Sequence, residues 1–242
     1  MPAISLVIPC YNEAALLPRL LTSVDAARRA FAGGPDEIEV IVSDNGSTDD
    51  TAAIATARGC RVVSTTVRRI GAVRNAGAAV ARGAILAFID ADSQVHPDTF
   101  NVLASYLGRP EIIGGSTGAT LERWSAGIVA TYAMIIPFVW LTNLDIGVVF
   151  CRRADFDTIG GYDASMKFAE DVKFLLALRR LGRSRDSRLV RARSAKVIAS
   201  TRKFDRFGEW HYITLMVKGP WYLLSGRRRA AFADEYWYKP GR

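Results

Sequence analysis

Ala84-Ile85-Leu86-Ala87-Phe88-Ile89-Asp90-Ala91-Asp92-Ser93 sets the fold class of this chain. An apolar run without a charge stops at two aspartates one residue apart. A short run of this kind, bounded by turn residues, predicts a strand buried on both faces. The two carboxylates then fall at the strand's C-terminal end, where open α/β sheets bind their ligands. Two hard oxygen donors, with room for water and phosphate oxygens, suit Mg²⁺ or Mn²⁺. Asp and Ser are also ordinary turn formers, so the stretch alone is readable as a plain loop start.

Upstream, strand and helix patterns alternate. Ala3 to Pro9 reads as a first strand, stopped by proline, with Cys10-Tyr11-Asn12-Glu13 as the turn after it. Leu16, Leu17, Leu20, Leu21, Val24 and Ala27 recur at helical spacing, and Gly33-Gly34-Pro35 breaks the chain. Glu39 to Ser43 is a second strand ending at Asp44; Ser47 and Asp50 have capping-box spacing for the helix that follows to about Arg58. Cys60 to Ser64 is a third strand, and an alanine-rich helix runs from Gly71 to Arg82, closed by Gly83. This alternation predicts right-handed βαβ units and a parallel sheet.

Downstream the pattern is less regular. Proline opens a helix at Pro97. Strands are expected at Ile112–Leu121, interrupted at Gly114-Gly115, at Asp145–Phe150, and at Arg191–Ala199. Gly160-Gly161-Tyr162-Asp163 reads as a turn, and Glu170-Asp171 opens a helix that turns Val172, Leu175, Leu176 and Leu178 inward.

The chain has 242 residues, half of them hydrophobic, enough for one large α/β domain with an appendage. Its net charge of +8 is uneven: Arg183 to Arg242 holds 15 Lys/Arg against 5 Asp/Glu, while the first 182 residues carry a net −2. A basic C-terminal end fits a phosphate-bearing ligand, an anionic membrane or nucleic acid, or is a solvated basic face. Cys10, Cys60 and Cys151 show no metal-type spacing and are expected reduced and buried. No basic, apolar leader precedes the first strand, which points to the cytoplasm.

Trp124 to Leu144 contains no charged residue and has the length of a membrane span. Ser125, Gly127, Thr131, Pro137, Thr142 and Asn143 weaken that reading. If later motifs complete one site with Asp90 and Asp92, the segment cannot cross. It is then a buried helix pair broken at Pro137, or an apolar face lying in the membrane interface.

Taken in order, Ile8-Pro9-Cys10-Tyr11-Asn12-Glu13, Asp44-Asn45-Gly46-Ser47-Thr48-Asp49, Arg74-Asn75-Ala76-Gly77, Asp90-Ala91-Asp92 and Glu170-Asp171 resemble the motifs of the family 2 glycosyltransferases. The resemblance runs over residues 4 to 181. It implies the GT-A fold: a Rossmann-like, mostly parallel sheet flanked by helices, here with an acceptor-side helical insertion and a basic C-terminal tail. It divides residues 1–200 into a nucleotide-sugar-binding half, 1–95, and an acceptor-binding half, 96–200, followed by a basic, aromatic-rich segment, 201–242. The implied activity is transfer of a sugar, with inversion, from a nucleotide diphosphate sugar to an acceptor hydroxyl. A UDP-sugar is favoured over a GDP-sugar.

The resemblance assigns Pro9, Tyr11 and Glu13 to the nucleoside pocket and Asp44 to the base. Arg74 maps near the nucleotide, Asp90 near the ribose, and Asp92 onto Mg²⁺ or Mn²⁺. Asp171 becomes the base that takes the acceptor proton. Arg202, within Ser200-Thr201-Arg202-Lys203-Phe204, is the candidate for closing over the diphosphate. His211 is a further possible metal ligand or a member of an aromatic cluster with Trp210 and Tyr212. Each residue has a plainer reading: an Asx turn for Asp44, a solvated helix face for Arg74, helix capping for Glu170 and Asp171.

The implied setting is cell-envelope glycan or glycolipid synthesis, with peripheral contact at the inner face of the membrane and a lipid-linked or small-molecule acceptor. The alternatives are a polyprenyl-phosphate sugar synthase, or a nucleotide-sugar-binding protein without turnover. The second would be expected to lack Asp92 or Asp171, and both are present. A nucleic-acid binder, suggested by the basic tail, leaves Asp90, Asp92 and Asp171 unexplained; nucleic acid is not an expected partner.

Overall fold

A computed structural model describes residues 2–142, 145–166, 169–210 and 213. Its elements, in chain order, are β1 (Ile4–Cys10), α1 (Leu17–Ala30), β2 (Ile38–Asp44), α2 (Thr51–Ala57), β3 (Arg61–Ser64), α3 (Ile70–Val80), β4 (Ile85–Phe88), β5 (Ser93–Gln94), α4 (Thr99–Leu107), β6 (Ile112–Ser116), β7 (Ala119–Leu121), α5 (Ala126–Thr142), β8 (Val149–Arg152), α6 (Arg153–Ile159), α7 (Glu170–Arg183), β9 (Arg188–Arg191), β10 (Val197–Ala199) and α8 (Arg202–Phe207).

The main sheet has the order β3-β2-β1-β4-β8-β6-β9. β1 runs parallel to β2 and β4, while β8 is antiparallel to both β4 and β6. This is an α/β fold on a mostly parallel sheet. Chain order reverses between β1 and β4, so the crevice beyond their C-terminal ends is the topological switch point. β5, β10 and β7 form a small second sheet.

The strand alternation explains the layers. Ile4, Leu6 and Ile8 of β1 share one core with Leu17, Leu20 and Val24 of α1 and Phe100 of α4. Val7, Leu86 and Phe88 face the other way, into a core with Phe156 of α6, Tyr162, and Phe174, Leu175 and Leu178 of α7. Cys10 and Cys151 are buried as expected, whereas Cys60 is half-buried.

Several elements depart from expectation. β1 runs through Pro9 to Cys10. Val7 O accepts the Ile89 amide, so strand alternation puts the Pro9 nitrogen on the side where the β4 pairing has ended and no donor is required. Ser47 does not cap α2; its hydroxyl accepts the Asn12 amide at 3.0 Å, and Asp50 at the N-cap makes no side-chain cap bond. β8 begins at Val149 because Gly147 has φ 105°, a backbone a strand cannot continue through. β6 passes through Gly114 and Gly115, with an irregular register against β9 between Ile112 and Gly114. Of the expected last strand, Arg191–Ala199, only Val197–Ala199 forms β10 and Arg191 ends β9, because a 3₁₀ turn at Arg193–Ala195 buries Ala195 and redirects the chain.

The chain divides into two compact units, Met1–Leu121 with Asn143–Ser200, and Glu122–Thr142 with Thr201 onward. In the second unit the expected helix pair is one helix, α5, with Pro137 inside it. Arg123 pairs with Asp205 and, at 3.1 Å, with Glu209, and the Thr201 amide donates to Glu122 at 2.9 Å. Trp124, Val129, Met134, Ile135 and Ile136 are exposed, whereas Ile128 and Thr131 are buried. Among the described residues no helix is long and apolar enough to cross a membrane. His211, the apolar patches Tyr212–Val217 and Trp221–Leu224, and Arg227-Arg228-Arg229 lie outside the described residues, apart from Ile213.

Candidate active site

The C-terminal ends of β1, β2 and β4 carry the predicted motifs to one edge of the sheet. Asn12 adopts φ 53°, which asparagine tolerates, and turns the chain after β1. That turn is laced to the loop after β2: Asn12 Oδ1 accepts the Thr48 amide at 2.8 Å, the Glu13 amide donates to Thr51 Oγ1 at 2.8 Å, and the Ala14 amide donates to Asp49 at 3.1 Å. Pro9 is buried, Tyr11 and Glu13 half-buried. Asp44 is buried at the end of β2 and accepts the Ser47 amide at 3.3 Å, a long Asx-type contact. The Arg68 guanidinium sits 5.8 Å from the Tyr11 ring centre. Burial, with Glu13 and Asp44 nearby, pushes the Cys10 thiol up, so it is no nucleophile.

Arg74 organises the rest. It leaves α3 buried, with 4% of its side chain exposed, and is not a solvated helix cation. Its Nη2 donates to Asp90 Oδ1 at 2.8 Å; its Nη1 donates to Glu170 Oε1 and Asp171 Oδ1, each at 2.8 Å. Burial works against the Arg74 charge, but Asp171 and Asp90 outweigh it and hold the guanidinium protonated. One cation thus ties the aspartate beyond β4 to both acids opening α7.

The Asp171 carboxyl is perturbed by this setting. Although 32% of its side-chain surface stays open, burial is the largest influence on its carboxyl. Burial raises it, Arg74 opposes, and Glu170 and Asp90 raise it further, so that it is pushed up to about 6. A carboxylate in that range is ionised near neutrality yet more basic than an ordinary aspartate.

Sequence reasoning missed Tyr162 and Asn75. Asn75 donates to the Tyr162 carbonyl at 2.8 Å and accepts the Tyr162 amide at 2.9 Å, a two-point clamp across the chain. The Tyr162 ring stacks on Phe174 at 4.2 Å, meets Phe88 edge-on at 5.1 Å, and lies 5.2 Å from the Arg74 guanidinium. Gly77, three residues after Arg74, packs α3 on the sheet: a Cβ there would lie 2.4 Å from Val7 and Ser43. Arg74, Asn75 and Gly77 thus divide their work between charge, clamp and close packing. The available signal for Tyr162 was its place directly after two glycines, both of which have positive φ.

Asp92 is half-buried, and its carbonyl accepts the Ser200 amide at 3.2 Å. Among the described residues no three His, Cys, Asp or Glu side chains gather into a metal cage. Asp90 is engaged with Arg74. The Asp92 carboxylate is a hard oxygen donor, a chemistry that fits Mg²⁺ shared with phosphate oxygens. Arg202 opens α8, exposed, in the second unit.

The sequence profile of glycosyl transferase family 2 matches residues 5–154. The chain belongs to that family. Validoxylamine A glucosyltransferase of Streptomyces hygroscopicus subsp. limoneus is 37% identical over 115 residues, which are 45% of this chain and 24% of that protein. The chain thus spans about a quarter of that relative's length. Among solved structures, S. aureus TarS 1–349 matches with a TM-score of 0.64 at 19% identity, over 86% of this chain and 63% of the other. Glucosyl-3-phosphoglycerate synthase from Mycobacterium tuberculosis, in complex with Mn²⁺, UDP and phosphoglyceric acid, matches with a TM-score of 0.60 at 25% identity, over 87% and 75%. The fold is GT-A.

Proposed function

We propose that this chain transfers a sugar from a UDP-sugar to an acceptor hydroxyl with inversion, and that Asp171 is the base. The observation that carries this reading is the Arg74 guanidinium, bonded at 2.8 Å to Asp90 on the donor side and to Asp171 at the head of α7. The acceptor oxygen attacks the anomeric carbon, the bond from that carbon to the diphosphate oxygen breaks on the opposite face, and the acceptor proton passes to Asp171. A hydroxyl is far more weakly acidic than a carboxylic acid, so the proton moves late, as the new bond forms.

Tyr11, Pro9 and Glu13 line the nucleoside side, and Asp44 is suited to accept the imide N–H of uracil. A Mg²⁺ or Mn²⁺ ion held by Asp92 and the phosphate oxygens would neutralise charge on the departing diphosphate. The Mn²⁺ and UDP in the mycobacterial synthase support this choice. Arg202 is the further candidate for a diphosphate contact.

The exposed apolar side chains Trp124, Val129, Met134, Ile135 and Ile136, and the basic excess after Arg183, support peripheral attachment to an anionic leaflet with a lipid-linked or membrane-proximal acceptor of cell-envelope type.

Thermal melts against a panel of UDP- and GDP-sugars, with and without Mn²⁺, test the donor. A donor at 100 times its Kd raises stability by about 2.7 kcal/mol. A UDP-sugar with Mn²⁺ is expected to give the largest upward shift. A larger shift with a GDP-sugar would overturn the uridine assignment, and no shift with any nucleotide sugar would overturn the donor site.

A further inference from the structure

We infer that Tyr162 is a positioning residue for Asp171: its hydroxyl, buried against the Arg74–Asp171 pair, orients the carboxylate toward the acceptor. The inference rests on the reading of Asp171 as base and assigns a role to a residue outside the motifs of the sequence.

Tyr162 is 2% exposed, and its ring is held on every side the structure describes. Phe174 stacks on it, Phe88 and Phe156 flank it at 5.1 and 6.3 Å, and Asn75 clamps its backbone with two bonds. The ring is therefore fixed by its packing, and the hydroxyl with it. Among the described residues that hydroxyl makes no hydrogen bond of good geometry. Its electrostatic neighbours are Asp171, which raises the phenol, and Arg74, which lowers it; burial raises it most. An orphaned hydroxyl in a core is costly, and phenylalanine would fill the same space without the cost. Catalytic hydrogen bonds are often long in the unliganded state and tighten when substrate is bound.

The packing also separates tasks among the groups around Asp171. Arg74 reaches it from α3, Glu170 lies beside it on α7, and Asp90 acts from beyond β4. Arg74 is shared among three acids and fixes only Oδ1 of Asp171, which leaves rotation about that contact. A donor from Tyr162 would supply a second point of attachment and remove that rotation. It would also favour the ionised carboxylate.

Tyr162→Phe tests this with little risk to the fold, since it keeps the ring, its stacking partners and the Asn75 clamp. The expected result is a kcat lowered about 10-fold at an unchanged donor KM, the pattern of a lost transition-state interaction. The acid limb of the pH profile should also move to higher pH, because the hydrogen bond that favours ionised Asp171 is gone. Tyr162→Leu, which removes the ring as well, should lower thermal stability, whereas Tyr162→Phe should melt at or above the wild-type temperature. Wild-type kcat and an unmoved acid limb in Tyr162→Phe would overturn the inference. The underlying reading fails differently: if Asp171→Asn retains turnover, Asp171 is not the base. If Asp171→Asn is inactive and Tyr162→Phe is indistinguishable from wild type, only the role of Tyr162 is wrong.

Discussion

Arg74 Nη1 lies 2.8 Å from Asp171 Oδ1, across 97 residues of sequence. The same guanidinium holds Glu170 and Asp90, so the loop beyond β4 and the head of α7 share one buried cation.

Removing that cation leaves three acids facing one another. Arg74→Ala is expected to destabilise the chain by about 3 kcal/mol, the low end for breaking a buried pair, because Asp90 keeps 57% of its side chain in water. Urea unfolding at neutral pH measures this. The loss should shrink as pH falls through about 6, where Asp171 protonates; a loss independent of pH would point to packing instead of charge.

The acid limb of catalysis follows from the raised carboxyl of Asp171. A base must be ionised, so kcat should rise as pH increases through about 6 and level off above it. The stability effect has the opposite sign. An acid raised from 3.8 to about 6 on folding contributes stability that is complete below 3.8 and is lost as pH rises through about 6. Asp171→Asn should therefore gain in melting temperature relative to wild type at pH 8, and less at pH 5. Differential scanning calorimetry at both values checks this.

Asp92→Asn tests the ion. Losing one charged ligand to an essential cation removes several kcal/mol of transition-state stabilisation. Activity should fall steeply with the fold intact by circular dichroism, and EDTA should abolish wild-type turnover until Mg²⁺ or Mn²⁺ is restored. Full activity of Asp92→Asn in EDTA would exclude the assigned role.

Membrane attachment is tested by co-sedimentation with anionic liposomes. Each Lys or Arg near the surface contributes about 1 kcal/mol, so binding should be firm at low salt and weaken at high salt. Replacing Met134 and Ile135 by serine should weaken it further. No binding at low salt with UDP-sugar and metal present would leave the attachment without support.

What was legible in the sequence was local. Apolar runs ending in Pro9, Asp44 and Asp90 gave β1, β2 and β4, because buried parallel strands need uninterrupted apolar residues and turn at their ends. The motif order brought the same residues to one edge, as the sheet topology requires. What was not legible depended on distant partners. Arg74 among alanines reads as a surface cation until Glu170 and Asp171, 96 and 97 residues on, are folded against it. Tyr162 reads as a turn residue because Gly160 and Gly161 precede it, and its burial is set by Phe88 and Phe174 from other elements. Ser47 has the spacing of a helix cap, but the amide of Asn12 competes for its hydroxyl.

The most direct measurement pairs turnover with nucleotide binding in Asp171→Asn. The account predicts kcat lower by roughly 10²–10⁴-fold, the contribution of a positioned base, with UDP affinity by calorimetry within a few-fold of wild type. Retained turnover, or UDP binding lost in parallel with it, would contradict the assignment of Asp171 as the base on the acceptor side.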